Sequence, residues 1–359
     1  MKKKNFQLGL FFLLMVVSIT SCGIRNTDIC TEVKEIDFLD KTETTIKGVK
    51  IKQLIGASNI DINDTLLLIT TTIPEGQLEV YNTNTLELLG SFCRKGRGRN
   101  EIVRMMGITQ TFISNGHLIA MVFDDACHLY EVDITESIEK GNTIIRNIYD
   151  SSRIMGNTFI LGEDFNYRIE YIVNEELNGK MKKYPYSFKV YDGNREEDLT
   201  FFKSRMRVDD EGINHVPYQS AVIKHPCKNL IVQKFMRMDY LLFLDFENNK
   251  NYAVHQTGSL SFNDTYSREE PWALHFTGCA PSSKYLMIMY RNGAYTRDTM
   301  DGDYHIQELL IFDWEGNYIT GAKMDRFINR ICYDERHNCL YALNFEEELY
   351  RYDLAEILK

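Results

Sequence analysis

Six pairs of short apolar segments recur along the chain, about fifty residues apart. The first member of each pair is strongly apolar, and these members are Leu66–Thr70, His117–Phe123, Arg168–Val173, Leu230–Phe235, Tyr285–Tyr290 and Cys339–Leu343. The second members all end in Asp or Asn, and they are Leu78–Asn82, His128–Asp133, Phe188–Asp192, Leu242–Asp245, Leu309–Asp313 and Leu349–Asp353. Short apolar runs bounded by turn residues predict β-strands rather than helices.

The period and the strand pattern predict an all-β fold, a six-bladed β-propeller with four-stranded antiparallel blades. The last repeat ends after its third strand in a short tail, Leu354–Lys359, and so lacks a fourth strand. Residues 43–53 alternate β-branched and polar side chains, which is typical of a half-buried strand. We expect this N-terminal strand to complete the last blade, because that closure removes exposed strand edges. Residues 43–359 then form one domain.

The N-terminus has the features of an export signal. A lysine-rich start precedes an apolar run from Phe6 to Ile19, which is too short to span a bilayer comfortably. The run ends in Ser18–Gly23, which resembles the lipobox of bacterial lipoproteins. That resemblance implies that Cys22 is diacylated and becomes the mature N-terminus, so that the acyl chains hold the protein on a membrane.

We therefore expect a cleaved signal peptide at 1–21 and a lipidated N-terminus and tether at 22–42. Gly23 follows the lipidated cysteine, where an acidic residue would signal inner-membrane retention, so the resemblance implies the outer membrane. Residues 23–29 lack the acidic cluster that sends some lipoproteins to the cell surface. The periplasmic face is favoured, with the cell surface as the alternative.

Charge excludes several classes of partner. The chain has 41 basic and 51 acidic residues, and loss of the three signal-peptide lysines gives the mature chain a formal charge of −13. Nucleic acid and anionic lipid head groups are poor partners for such a surface. We expect a monomeric domain with no nucleic-acid partner, which contacts the membrane through the anchor at Cys22.

The cysteines other than Cys22 show neither a CxxC pair nor zinc-like spacing. Most lie in apolar runs, where a thiol packs as a small hydrophobic group. Cys332 and Cys339 are the exception, because they lie on the two arms of a predicted hairpin. They are a candidate disulfide if the strand register brings them face to face.

The densest positive charge lies in the stretch Gly90–Ile102, at the boundary between the first two repeats. Its basic residues are Arg94, Lys95, Arg97 and Arg99. Gly96 and Gly98 alternate with them, and positive φ angles at these glycines would expose backbone N–H groups beside the guanidinium groups as an anion cradle. The alternative is a tight structural connection in which the arginines pair with acidic neighbours such as Glu101.

The same stretch carries a resemblance to a family. The chain resembles the TolB-like six-bladed β-propeller lipoproteins of Bacteroides-type bacteria, which combine a lipobox with a glycine-rich first-blade motif. The matching residues are Gly90, Phe92, Gly96, Gly98, Asn100, Glu101 and Ile102. Arg99 stands where the motif has proline. The resemblance covers essentially the whole mature chain and implies the fold, but it implies no specific activity.

In a propeller, the connections between blades and the loops between second and third strands emerge on one face, where ligands commonly bind. Our candidate ligand-binding residues lie in these segments, and they are Lys95, Arg97, Arg99, His215, Tyr218, Trp272, Arg291, Tyr295 and Arg297. The aromatic residues among them would stack on sugars or peptides, or else pack between blades.

No catalytic motif is present: the sequence has no G-x-S-x-G elbow, P-loop, dinucleotide fingerprint or H-E-x-x-H. We predict a non-catalytic binding or scaffolding module for a cell-envelope protein or glycan, with no cofactor and no metal. The alternative is a propeller enzyme of the lactonase or lyase type with a metal in its central channel. The first strands offer ligands for such a metal only at scattered positions such as Asn59, Asp61 and His275.

Overall fold

The computed structural model of the protein is a ring of six small β-sheets. It describes residues 32–38, 44–150, 158–161, 167–173, 186–193, 195–198, 220–248, 250–259, 274–294 and 307–358. Consecutive strands within each sheet pair antiparallel, as the recurring apolar segments predict. The six-bladed β-propeller fold is confirmed.

The first three blades each contain four strands, which lie side by side in chain order. Blade 1 consists of β4 (Ala57–Asn63), β5 (Leu66–Thr71), β6 (Leu78–Asn82) and β7 (Leu88–Phe92). Blade 2 consists of β8 (Met105–Ser114), β9 (His117–Asp124), β10 (His128–Asp133) and β11 (Ile145–Asp150). Blade 3 consists of β12 (Thr158–Ile160), β13 (Tyr167–Val173), β14 (Tyr186–Asp192) and β15 (Arg195–Asp198).

Strands near the N-terminus join the last three blades. Blade 4 consists of β16 (Ser220–Lys224), β17 (Leu230–Phe235), β18 (Tyr240–Asp245), β19 (Lys250–Gln256) and β1 (Val33–Ile36). Blade 5 consists of β20 (Leu274–Pro281), β21 (Tyr285–Ala294), β22 (Glu308–Asp313), β23 (Tyr318–Met324) and β2 (Thr45–Ile46). Blade 6 consists of β24 (Arg330–Asp334), β25 (Cys339–Leu343), β26 (Glu348–Asp353) and β3 (Val49–Gln53).

The ring closes as the sequence predicts. Strand β3 pairs antiparallel with β26, with Lys50 opposite Tyr350 and Val49 opposite Arg351. The missing fourth strand of blade 6 is therefore supplied by the N-terminal part of the chain. With this strand in place, the last blade has four strands, as the first blade does.

Two further strand pairings were not expected. Strand β1 adds to the outer edge of blade 4 and β2 to that of blade 5, both in parallel orientation. Phe38, just after β1, is fully buried and meets the ring of Tyr290 edge-on with centroids 5.2 Å apart. The packed part of the chain thus begins before residue 43 and includes a segment that the sequence analysis assigned to the tether.

Apolar clusters lie between neighbouring blades all around the ring. Each of six clusters contains buried residues from two neighbouring blades, and examples are Leu68 and Ala120, Met121 and Ile160, Ile169 and Leu242, Val232 and Leu286, Met287 and Leu340, and Leu343 and Leu67. Burial of apolar area of this kind is the main favourable contribution to folding. The core is therefore a closed ring of inter-blade contacts rather than one central cluster.

One helix interrupts the strand pattern in the described residues. Helix α1 (Ile134–Lys140) lies between β10 and β11, and it begins where the Asp133 carboxylate accepts the Glu136 N–H at 2.9 Å. It ends at Gly141, whose φ of 66° places it in the left-handed region that favours glycine at a helix C-terminus. None of the described residues forms a helix with the length and apolar character needed to cross a membrane.

The register of blade 6 bears on the candidate disulfide. Cys332 lies opposite Tyr341, and Cys339 lies opposite Asp334, so the two cysteines are diagonal rather than facing neighbours. Both are buried free thiols. Diagonal positions in an antiparallel pair are typically about 7 Å apart, which is more than a disulfide spans without movement of the backbone.

Candidate functional site

The candidate site is the end of the propeller at which each blade connects to the next, here called the connection face. In blade 1 the loop between second and third strands packs directly against the connection to blade 2. Lys95 N–H donates to the Pro74 carbonyl at 2.7 Å, and Gln77 N–H donates to the Cys93 carbonyl at 3.3 Å. The two kinds of loop share one face, as expected.

The basic connection after blade 1 is built around Glu101. The Glu101 carboxylate accepts the Gly98 N–H at 2.9 Å and lies 4.0 Å from Arg94 Nε. A Cβ atom on Gly96 would lie 1.9 Å from Glu101 Oε2, so residue 96 must be glycine for the carboxylate to occupy this position. The proposed anion cradle therefore holds a carboxylate of the chain itself.

The backbone expectation for this stretch was wrong. Neither Gly96 nor Gly98 has a positive φ angle, whereas Cys93 does, at 59°. Cys93 adopts it because its N–H donates to the Thr143 hydroxyl at 2.8 Å while its carbonyl accepts from Gln77 Nε2 at 3.0 Å. The left-handed turn thus lies before the glycines, and the glycines make space for Glu101.

Lys95, Arg97 and Arg99 are exposed around this turn. Among the described residues, none of the three has an ion-pair partner, although Arg94 approaches Glu101. Their charges are not needed to hold the connection in shape. They remain available to a ligand.

The buried side chain of Gln77 bonds the same connection on its inner side. Its buried amide donates to the carbonyls of Cys93 at 3.0 Å and Ile102 at 2.9 Å, and it accepts the Met105 N–H at 2.8 Å. Three backbone groups at the two ends of the connection are thereby satisfied by one side chain. Buried backbone groups that lack such partners are costly.

Other blades use the same position, which is the residue directly before the third strand. In blade 5, Gln307 donates to the Ile328 carbonyl at 3.0 Å and accepts the Ile328 N–H at 2.6 Å. In blade 6, Glu347 accepts the Gly56 N–H at 2.8 Å. None of these residues was among the predicted site residues. Alignment of the repeats on their third strands would have shown a polar residue at this position in several units.

In blade 4 the equivalent residue is Asp239, which reaches into blade 5. Its buried carboxylate accepts the hydroxyls of Tyr290 at 2.8 Å and Ser259 at 2.5 Å and lies within ion-pair distance of His275 Nδ1. Burial acts to raise the pKa of Asp239, but His275 and the two hydroxyls outweigh it and hold the pKa below its usual value. Asp239 is therefore an ionised side chain that links blade 4 to blade 5.

Arg291 is a candidate ligand-binding residue, and it lies in strand β21 rather than in the expected loop. Its side chain is only 4% exposed, and its Nε and Nη2 atoms have no hydrogen-bond partner in the part of the chain that the structure describes. The guanidinium lies 5.0 Å from the ring centroid of Phe327, which in turn stacks on Phe345 at 5.3 Å. Phe345 is 64% exposed, so this stack leads from a buried cation to the surface of the connection face.

Two more cations lie towards the same end of blades 4 and 6. Lys234 in β17 is 4% exposed, and it pairs across the ladder with Ala221, near the start of the inner strand. Arg330 is the first residue of the inner strand of blade 6, and it donates to the carbonyl and the side-chain oxygen of Asn329 at 3.1 and 2.9 Å. Burial lowers the pKa of Lys234, whereas Arg330 is exposed.

One group of described residues has metal-ligand geometry. Ligand atoms of His117, Asp133 and Glu136 lie within 4.8 Å of one another in blade 2. They are not on the inner strand, and Arg146 Nε donates to Asp133 at 2.8 Å. Asp133 is therefore already charge-paired.

On the inner strand of blade 1, Asp61 offers a single carboxylate. Burial raises its pKa to about 6, while the Ile62 N–H bonds Oδ1 at 2.8 Å. Among the described groups that are close enough together to share an ion, it has no companion.

Several predicted residues lie outside the described residues: Cys22, His215, Tyr218, Trp272, Tyr295 and Arg297. Their roles stay predictions.

Solved structures of Bacteroides proteins share this fold. A member of the DUF4221 family from Bacteroides vulgatus aligns with a TM-score of 0.53 and 12% identity over 86% of this chain and 98% of its own. A Bacteroides fragilis protein, whose name marks it as a candidate exported protein, aligns with a TM-score of 0.51 and 9% identity over 89% of this chain and 97% of its own. No family model and no curated protein matches the chain. At such identities the likeness shows the fold alone.

Proposed function

We propose that this chain is an outer-membrane lipoprotein whose propeller is a non-catalytic binding or scaffolding module for another protein or a glycan of the cell envelope. The lipobox at Cys22 and the resemblance to TolB-like lipoproteins support the anchor. The exported character suggested by the name of the Bacteroides fragilis neighbour agrees with it. The periplasmic face of the outer membrane is the favoured location.

The division of roles on the connection face carries the proposal. Gln77, Gln307 and Glu347 bond the backbone of the connections, and Glu101 holds its own turn. These groups make the face rigid, while the exposed cations beside Glu101 take no part in holding it. Loops fixed in this way present a preorganised surface to a ligand.

The environment of Asp239 also favours binding over catalysis. Asp239 is saturated by the hydroxyls of Ser259 and Tyr290 and by contact with His275. Because the pKa of Asp239 is held below its usual value, the carboxylate does not take up a proton near neutral pH. It positions blade 5 against blade 4 rather than acting as a general base.

The anchor is tested by labelling the full chain with radioactive palmitate in a Gram-negative host and fractionating the membranes. We expect label in the outer-membrane fraction and none in a Cys22→Ala variant. Equal label in both chains would refute the anchor.

The binding face is tested by a thermal-shift screen of envelope glycans and peptides, because a ligand of the folded state raises the unfolding midpoint. We expect a hit whose effect is lost in the double variant Arg97→Glu/Arg99→Glu. The matched control is Lys250→Glu at the start of β19, on the opposite face. A hit lost only in that control would place the ligand on the wrong face for our proposal.

A further inference from the structure

Three cations near the connection face share an unusual feature: within the described residues, none has a carboxylate partner. They are Lys234 in blade 4, Arg291 in blade 5 and Arg330 in blade 6. Lys234 and Arg291 are each 4% exposed. Arg330 is exposed, and its bonds to described residues go to the neutral oxygens of Asn329. Lys234 and Arg291 are therefore buried charges without a counterion among the described residues, which is costly and is unexpected in an acidic chain, whereas Arg330 is exposed beside them.

The three residues lie in adjoining blades at the same end of the propeller. The side chains of Val232 and Lys234 lie on the same side of β17, because they are two residues apart. Val232 belongs to the apolar cluster between blades 4 and 5 that includes Leu286 and Phe276, so Lys234 faces blade 5. The inner strands of blades 5 and 6 touch at the level of Arg330, since a Cβ on Gly278 would lie 3.2 Å from the Asn329 carbonyl. The positive charge of Arg330 adds to burial in lowering the pKa of Lys234.

Arg291 lies at the same end of blade 5, in the second strand. It faces blade 6, where Phe327 covers one side of its guanidinium at 5.0 Å. Phe327 precedes Arg330 by three residues in the connection between blades 5 and 6. Nε and Nη2 of Arg291 are buried donors that find no acceptor among the described residues. A bound anion would satisfy them and would offset the repulsion between neighbouring cations.

We propose that Lys234, Arg291 and Arg330 form an anion-binding site at the connection end of the central channel, and that the site takes a ligand bearing a carboxylate, sulfate or phosphate group. Guanidinium groups bind such oxyanions through paired N–H donors, and the lysine adds a compact charge. The proposal deepens the binding function by naming the chemistry of the ligand. The site is separate from the exposed cations around Glu101.

The test compares the unfolding midpoint of the full chain in chloride with that in phosphate, sulfate and citrate at equal ionic strength. Wild-type protein is expected to gain stability in at least one of the three oxyanions, and the most effective one distinguishes a tetrahedral anion from a carboxylate. Lys234→Met keeps the length of the side chain and removes its charge. We expect this variant to unfold at a higher temperature than wild type in chloride and to lose the oxyanion effect.

Arg330→Gln is the second variant, because Arg330 lies at the edge of the site and its replacement leaves the inter-blade core intact. Titration calorimetry with the most effective anion should show a loss of affinity of about tenfold or more in either variant. Lys284→Met, an exposed site at the other end of blade 5, is the matched control and should bind like wild type.

Equal midpoints in all four salts, or an oxyanion effect that survives in Lys234→Met, would overturn the anion site. Either result would leave the envelope-binding proposal standing, because that proposal is tested separately at Arg97 and Arg99. Conversely, a wild-type chain that takes up no palmitate label, or that gives no hit in the screen, would not contradict the anion site.

Discussion

Gln77 and Gln307 occupy the same position in two different blades, each directly before a third strand, and each side-chain amide bonds the backbone of the connection to the next blade. The relationship shows that the propeller is held together by a repeated polar clamp as well as by its apolar interfaces. The clamp also defines the shape of the face on which we place the ligand.

The clamp predicts a large cost for Gln77→Leu. The substitution keeps the volume but removes the side-chain bonds to the Cys93 and Ile102 carbonyls, which each keep one backbone donor, and takes away the acceptor of the buried Met105 N–H. The free energy of unfolding should therefore fall by about 1–3 kcal/mol. Urea denaturation of both chains measures this. Gln53→Leu at an exposed position of β3 is the matched control. A loss no larger than that of the control would show that the amide bonds are not important for stability.

The Glu101 turn predicts non-additive substitutions. Gly96→Ala should displace the Glu101 carboxylate from the Gly98 N–H and cost about 1–2 kcal/mol. Glu101→Ala removes the same contact, so the double variant Gly96→Ala/Glu101→Ala should be no less stable than Glu101→Ala alone. A double-mutant cycle of denaturation free energies checks this. Additive losses would mean that Gly96 is required for another reason.

Asp61 predicts a pH-dependent gain of stability. Burial raises its pKa in the folded state from 3.8 to about 6, so the folded chain binds the proton more tightly than the unfolded chain. The Asp61 contribution therefore becomes more favourable as pH falls from about 7 to about 4. Asp61→Asn should be more stable than wild type at pH 7 by roughly 1–3 kcal/mol, and the difference should vanish near pH 4.

Denaturation of wild type and Asp61→Asn across this pH range tests that sign. Asp125→Asn changes an exposed carboxylate and should show no such trend. A variant that is destabilised at pH 7 would contradict the assigned direction of the pKa shift.

The ring closure predicts a strong effect of proline in β3. Lys50 pairs with Tyr350, and Lys50→Pro would disrupt the ladder that joins the N-terminal strand to blade 6. We expect a loss of about 2–4 kcal/mol and faster proteolysis. Lys47→Pro lies just before β3 and is the control. Equal stability of the two variants would argue that closure contributes little.

Much of the fold could be predicted from the sequence, because buried strands need apolar runs and turns need particular residues. The second strand Leu230–Phe235 and the third strand Leu78–Asn82 have the bounds that their sequences predict. The closing strand was also predicted, since blade 6 lacked a partner. Strand β1 was missed, and β2 lies within the predicted strand 43–53 but pairs with blade 5 instead of blade 6. Parallel pairing at a sheet edge leaves no periodic pattern in segments of four and two residues.

The candidate site was less predictable. Arg291 was assigned to a loop because its neighbours are polar, but the structure extends β21 through it and buries the side chain. Lys234 lies in an apolar run, which gives no sign that its charge lacks a carboxylate partner among the described residues. The positive φ at Cys93 depends on bonds to Thr143 and Gln77, which are distant in sequence. Contacts of this kind become visible only in the folded chain.

The central claim is that the connection face binds an envelope component, and lysine labelling in intact outer membranes tests it most directly. Lys95 marks the connection face, whereas Lys228, Lys250 and Lys284 lie at the other end of the blades. Labelling rates in membranes are compared with those of the purified full chain by mass spectrometry. Our account predicts that Lys95 is protected in membranes while the other three label at unchanged rates. Unchanged labelling of Lys95, or protection of the opposite three, would contradict it.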